Sequence, residues 1–158
     1  MDAGKIIRLV AAVLVCQLAG VVGSVFTVSA IPGWYAGLNK PFFNPPAWLF
    51  GPAWLVLYTL MGIALFLVWE KGFKEKENRQ ALQAFGLQLV FNAAWSIIFF
   101  GLHAVFIAFI EIIVLWVLIL VAIIKFNKVS RKAALLLVPY IAWVSFAALL
   151  NLSVWLLN

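Results

Sequence analysis

The stretch WYAGLNKPFFNPPAWLFGPAW, residues 34–54, decides how this chain folds, because it lies between two long apolar segments. It contains seven aromatic side chains and four prolines. The prolines limit the conformational freedom of the chain, and Pro45-Pro46 after Asn44 is a favourable helix start. A stiff and apolar connection of this kind suits a cover over a pocket better than a solvated loop. We therefore interpret residues 31–45 as a lid.

Composition predicts that the surrounding segments lie in a membrane. Of the 158 residues, 67% are hydrophobic and only 10% are charged, whereas soluble domains carry about 25% charged residues. The length suits one domain, residues 1–158. The single Cys16 permits no intrachain disulfide and gives no metal-ligand spacing, so we expect neither a metal nor a resident cofactor.

Five segments are long enough to cross a bilayer, which takes about 20 apolar residues. Because unpaired backbone groups are costly in lipid, we interpret them as helices. A β-barrel would need alternating segments of about 10 residues, and these segments do not alternate. A signal peptide is an alternative for the first segment, although its apolar region is longer than the usual ~7–15 residues. The prediction is an all-α bundle of five transmembrane helices at residues 6–30, 46–69, 80–101, 104–124 and 133–157.

Basic residues predict the orientation of this bundle. Five helices place the two termini on opposite sides, and ten of the eleven Lys and Arg residues fall on the N-terminal side. Lys40 alone falls on the lid side. In a bacterial inner membrane this bias predicts a cytoplasmic N-terminus and a C-terminus on the opposite side. The net charge of +6 therefore reports topology rather than a nucleic-acid site.

Polar residues within the spans predict a pocket beneath the lid. Such groups are expensive in lipid and usually face a bundle interior or a cavity. Gln17 and Gln88 lie near the middle of their spans. The helix rise places a further set roughly 9–14 Å below the lid-side surface: Asn92, Glu111, Asn151 and Trp54.

Helical spacing also groups these residues with aromatic side chains into stripes. Ordinary helix packing and hydrogen bonding between helices by the amides are the alternatives to ligand contact. For tryptophans at span ends, such as Trp34, an interfacial belt is the alternative. The stripes comprise Gln88, Asn92, Trp95 and Phe99 on the third span, Tyr140, Trp143, Ala147 and Asn151 on the fifth, and Trp54, Tyr58 and Met61 on the second.

Four local features carry further predictions. Pro52 and Pro139 lie inside predicted helices and are expected to kink them. The small-residue pair Gly20 and Ser24 favours close helix contact. His103, in a tight turn, is expected to be an ordinary surface residue.

Three motifs in order resemble the TspO/translocator protein family, also called tryptophan-rich sensory proteins or peripheral benzodiazepine receptors. The third span carries QLVFNAAWSIIFFG and the fifth carries PYIAWVSFAALLN, both similar to family motifs. The resemblance covers essentially the whole chain. The lid motif is matched by Trp34, Tyr35, Leu38, Lys40, Pro41, Pro45, Pro46, Phe50, Pro52 and Trp54.

The resemblance implies a receptor or sensor, commonly a homodimer, that binds porphyrins such as protoporphyrin IX and haem-related tetrapyrroles, together with benzodiazepine-type ligands. It does not extend to tight sterol binding, because Ser153 stands where animal members carry the central Tyr of a cholesterol motif, and no basic residue follows it. Carried over by position, the ligand-binding residues are Trp34, Tyr35, Trp54, Gln88, Asn92, Trp95, Trp143, Ala147 and Leu150.

Two other functions are alternatives to a receptor. The resemblance also implies light- and oxygen-dependent degradation of porphyrin by the tryptophans matching Trp54 and Trp143. The sequence contains no nucleophile–base pair or metal constellation that would support ordinary catalysis. Transport of porphyrin or lipid is the third hypothesis, and no clear inverted repeat of the transporter kind supports it.

Overall fold

The computed structural model describes residues 2–158 and confirms the all-helical architecture. Within this range five helices are long and apolar enough to cross a membrane. The most extensive interfaces are those of the fourth helix with the third and with the fifth, followed by that of the first helix with the second, and the first helix also packs against the third. The helices are α1 (Ala3–Ala30), α2 (Ala47–Trp69), α3 (Lys76–Gly101), α4 (Val105–Val129) and α5 (Arg131–Leu157).

Four of the five helices extend beyond their predicted ends on the basic side of the bundle, and α2 ends at Trp69 as predicted. α1 begins three residues early because the Asp2 carboxylate accepts a hydrogen bond from the Lys5 backbone N–H at 2.8 Å. α4 continues past residue 124 to Val129, and its last turn holds Lys128, whose charge favours the carboxyl end of a helix. Lysine stems remain in apolar surroundings while their charged ends reach water. Prediction from hydropathy alone therefore made these helices too short.

The two intrahelical prolines have different consequences. α2 runs through Pro52 as one helix. α5 is interrupted at Leu137, between Arg131–Leu136 and Val138–Leu157. The interruption lies where Pro139 predicts a disturbance, because proline lacks an N–H and its ring crowds the carbonyl four residues earlier.

The last turn of α3 departs from the predicted α-helix. Residues Ile97–Gly101 form a π-helical turn, closed by a hydrogen bond of 2.9 Å from Leu102 N to the Ile97 carbonyl. Such turns are rare and occur often at functional sites. Here the wider turn presents Phe99 and Phe100 to the lid, where both rings contact Tyr35. The end of α3 is thereby shaped to hold the lid.

α1 lies at the edge of the bundle and makes its closest contacts through glycines. A Cβ on Gly62 of α2 would lie 2.5 Å from the Val13 Cα, so the two backbones approach closely here. A Cβ on Gly20 would meet the Tyr58 ring. Small residues allow this approach in membranes, where packing rather than hydrophobic burial drives helix association. Close helix contact at Gly20 was predicted from its spacing to Ser24.

Candidate functional site

A cavity of about 510 Å³ lies beneath the lid, between α1, α2, α3 and α5. An indole from each of three helices lines it, namely Trp54 of α2, Trp95 of α3 and Trp143 of α5. Among residues 2–158, α4 contributes nothing to this lining. Six of the predicted ligand-binding residues thus share one cavity: Tyr35, Trp54, Trp95, Trp143, Ala147 and Leu150.

Gln88 and Asn92 lie outside this lining, in a buried hydrogen-bond chain. The Tyr58 hydroxyl donates to the Asn92 side-chain oxygen. Asn92 Nδ2 donates to the Tyr140 hydroxyl at 2.9 Å, and that hydroxyl donates to Gln88 Oε1 at 2.9 Å. The two amides therefore act on the cavity through Tyr58, which lines it and stacks on Trp54 with ring centroids 5.2 Å apart.

Trp34 also lies outside the cavity, and it anchors the lid instead. Its ring stacks on His103, with centroids 4.2 Å apart and planes 12° apart. His103 has a φ of 55° in the turn between α3 and α4, a backbone conformation uncommon for residues other than glycine. His103 is exposed, as predicted for a surface residue, and it is also a contact point for the lid.

Hydrogen bonds within the lid and between the lid and the end of α5 hold the lid in place. The Tyr35 hydroxyl donates to Asn44 Oδ1 at 2.9 Å, so Asn44 braces the lid and does not cap α2. The Asn39 N–H donates to Asn158 Oδ1, and Asn158 Nδ2 donates to the Asn39 carbonyl, both at 3.0 Å. This paired contact, the Asn39–Asn158 latch, ties the lid to the end of α5.

Burial raises the pKa of Tyr35 above its ordinary value, and the hydrogen bond with Asn44 opposes part of that rise. The phenol of Tyr35 therefore stays protonated at neutral pH and remains the donor to Asn44. Lys40 Nζ lies 4.8 Å from the centre of the same ring and also donates to the Leu38 carbonyl at 2.9 Å. The positive charge of Lys40, the only one in the lid, is therefore held by partners within the lid itself.

The cavity wall is aromatic and uncharged. Within the described chain, its lining includes no Lys, Arg, Asp or Glu. Trp95 Nε1 donates to Asn151 Oδ1 at 3.1 Å, and Asn151 Nδ2 donates to the Val105 carbonyl at 2.9 Å, so these groups are satisfied by one another. Trp143 Nε1 is buried and has no hydrogen-bond partner among residues 2–158. Such a wall favours a planar apolar ligand that carries few polar atoms.

Glu111 is buried in α4 and does not line the cavity. Neither carboxyl oxygen has a hydrogen-bond partner in the part of the chain that the structure describes. Glu111 was predicted at the depth of the pocket, and helix packing places its side chain outside the pocket wall. Depth along a helix therefore did not predict which neighbours this residue meets.

α1 supplies a cavity wall that the sequence interpretation did not include among the site residues. Gln17, Gly20 and Ser24 all line the cavity. The available signals were the polar Gln17 within the span and the small-residue spacing of Gly20 and Ser24, which was interpreted only as helix contact. Small residues both admit a neighbouring helix and leave space between helices, and spacing alone does not separate the two outcomes.

These features define a multi-pass helical membrane protein with an aromatic cavity under a hydrogen-bonded lid. The TspO/MBR family model matches residues 12–156, and the chain belongs to this family. It is 45% identical to the tryptophan-rich protein TspO of Archaeoglobus fulgidus over 154 residues, which cover 98% of this chain and 99% of that protein. It is 40% identical to the translocator protein of Homo sapiens over 139 residues, covering 85% and 80% of the two chains. It is 36% identical to the tryptophan-rich sensory protein of Cereibacter sphaeroides over 125 residues, covering 79% and 77%.

Proposed function

We propose that this protein is a membrane receptor or sensor that binds porphyrins such as protoporphyrin IX, and benzodiazepine-type aromatic ligands, in the cavity beneath the lid. The observation that carries the proposal is the convergence of Trp54, Trp95 and Trp143 from three helices on one uncharged cavity. Its volume of about 510 Å³ lies within the ~300–1,000 Å³ typical of small-molecule sites. The names of relatives, which include a sensory protein and translocator proteins, support a receptor role.

Stacking gives the physical basis for selectivity. Aromatic pairs in offset or edge-to-face geometry contribute about 0.5–1.5 kcal/mol beyond the area that they bury. A flat, conjugated ligand gains this from several indoles at once, whereas a flexible chain of equal size does not.

Replacing Trp143 by phenylalanine tests the proposal. Loss of the larger ring is expected to raise the Kd for protoporphyrin IX about tenfold, equivalent to about 1.4 kcal/mol. The measurement is quenching of tryptophan fluorescence during titration of the purified protein. Trp69→Phe is the matched control, because it also removes one indole but lies at the opposite end of α2, outside the cavity lining. Equal Kd values for the two variants, or quenching that never saturates, would contradict the proposal.

Porphyrin photodegradation is a second candidate, favoured by the shared position of Trp54 and Trp143 in the cavity wall. An excited porphyrin beside these indoles accepts an electron from one of them and passes it to oxygen, which becomes superoxide. The indole radical cation then takes an electron back from the porphyrin, so the porphyrin is oxidised by one electron and the indole is restored. Illumination of the aerobic complex is expected to give a new absorbing product. The Trp54→Phe variant is expected to form much less of this product. Formation of the same product at the same rate in Trp54→Phe and Trp69→Phe would remove the enzymatic alternative and leave the receptor.

A further inference from the structure

The wall of the cavity is incomplete between α1 and α2. Four of the residues that line it are at the same time well exposed on the outer surface of the bundle. Val21 and Val28 of α1 are 56% and 68% exposed, and Trp48 and Leu55 of α2 are 71% and 60% exposed. A side chain that borders both the cavity and the outer surface marks an opening. Because these residues belong to membrane-spanning helices, the opening faces lipid.

The opening is confined to the half of the bundle nearest the lid. Towards the basic side, α1 and α2 are closed by the tight contact of Gly62 with Val13. Near mid-membrane, Gln17 Nε2 bridges the helices by donating to the Leu55 carbonyl and to Thr59 Oγ1, both at 3.0 Å. Nearer the lid, a Cβ on Gly51 would meet no atom within 4 Å. The two helices therefore separate as they approach the lid.

The opposite situation holds on the face that the lid covers. There the Asn39–Asn158 latch and the stacking of Trp34 on His103 hold the lid down. Opening this face requires breaking these contacts, whereas the gap between α1 and α2 requires no bond to break. Apolar aromatic molecules also concentrate in lipid rather than in water.

We propose that ligands enter and leave the cavity sideways from the membrane, through a portal between α1 and α2. The portal is bordered by Val21, Ser24 and Val28 of α1 and by Trp48, Gly51 and Leu55 of α2. This inference rests on the proposed function, because it concerns the ligands of the same cavity. If ligands use the portal, the ligand concentration that sets the binding rate is the concentration in the bilayer leaflet next to the lid. Binding rates therefore follow the partitioning of a ligand into lipid.

Narrowing the portal tests this route. Val28→Phe and Ser24→Phe place larger side chains at the opening. Their matched controls are Val25→Phe and Ser29→Phe, since Val25 is 65% exposed on the same helix and Ser29 bonds to its own helix as Ser24 does, and neither control position lines the cavity. Stopped-flow quenching with protoporphyrin IX in liposomes is expected to show association and dissociation both slowed about tenfold in the portal variants, with both rates unchanged in the controls.

Asn158→Ala distinguishes the portal from access through the lid. It removes the latch, and under the portal route the binding rates stay within about twofold of the unsubstituted protein. Faster exchange in Asn158→Ala, with unchanged rates in the portal variants, would overturn the portal in favour of the lid. A raised Kd in the portal variants with unslowed dissociation would also overturn it, because those side chains would then be acting as ordinary wall. Absence of saturable binding in the unsubstituted protein would overturn the proposed function and the portal together.

Discussion

Replacing Tyr140 by phenylalanine is expected to lower the free energy of unfolding by about 2–4 kcal/mol, since each buried group left without a partner costs about 1–3 kcal/mol. The lost hydroxyl accepts from Asn92 Nδ2 and donates to Gln88 Oε1, and all three residues are buried. Phenylalanine keeps the ring and its packing, so the effect isolates the hydrogen bonds. The measurement is reversible unfolding of the detergent-solubilised protein.

Tyr35→Phe is the control for this prediction. It also removes one tyrosine hydroxyl, but that hydroxyl makes a single bond, to Asn44 in the lid. The expected loss is about 1 kcal/mol, the usual net value of one hydrogen bond. If both variants lost the same stability, the chain from Tyr58 to Gln88 would not act as a connected network beneath the cavity.

A methyl group on Gly62 is expected to destabilise the bundle by about 1–3 kcal/mol, the usual cost of overpacking. The new Cβ would lie 2.5 Å from the Val13 Cα, and a backbone atom cannot turn aside as a side chain can. α1 as a whole must move away from α2. Because α1 and α2 also form the portal, Gly62→Ala is expected to change cavity access as well as the unfolding midpoint.

Gly86→Ala is the matched control, and its expected effect on stability has the opposite sign. Gly86 lies within α3, and a Cβ added there meets no atom within 4 Å. Alanine is favoured over glycine inside a helix by about 0.5–1 kcal/mol. Gly86→Ala is therefore expected to raise stability slightly. A loss of similar size in both variants would show that helix packing at Gly62 is not the cause.

The fold was largely predictable because lipid restricts the chain to few solutions. Length and hydropathy indicated the five spans, and Pro139 indicated the region where α5 is interrupted. The π-helical turn at Ile97–Gly101 was not predictable, since nothing in its composition separates it from an α-helix. It arises where the end of α3 packs against the lid, which is a tertiary effect.

The site was predictable in its aromatic part and only partly in its polar part, where Gln17 and Asn151 line the cavity and Gln88 and Asn92 do not. Large indoles such as Trp54 and Trp143 fit in few positions inside a five-helix bundle, and both line the cavity. Amide groups choose among partners on several helices, and Asn92 joined Tyr58 and Tyr140 instead of the cavity surface. Trp34 fits a helix-end aromatic and a lid residue equally well from sequence, and its stacking on His103 depends on a turn far along the chain.

Among the residues that the structure describes, those of α4 do not line the cavity, so this helix has no direct contact with a ligand held there. The hydrogen bonds of Trp95 reach α4 through Asn151, which bonds to the backbone carbonyl of Val105, a group that every amino acid carries. A substitution on α4 is therefore expected to change the stability of the bundle without changing the cavity wall. The helices α2, α3 and α5, in contrast, carry both the cavity wall and part of the buried core, so a substitution there can change ligand contact and stability together.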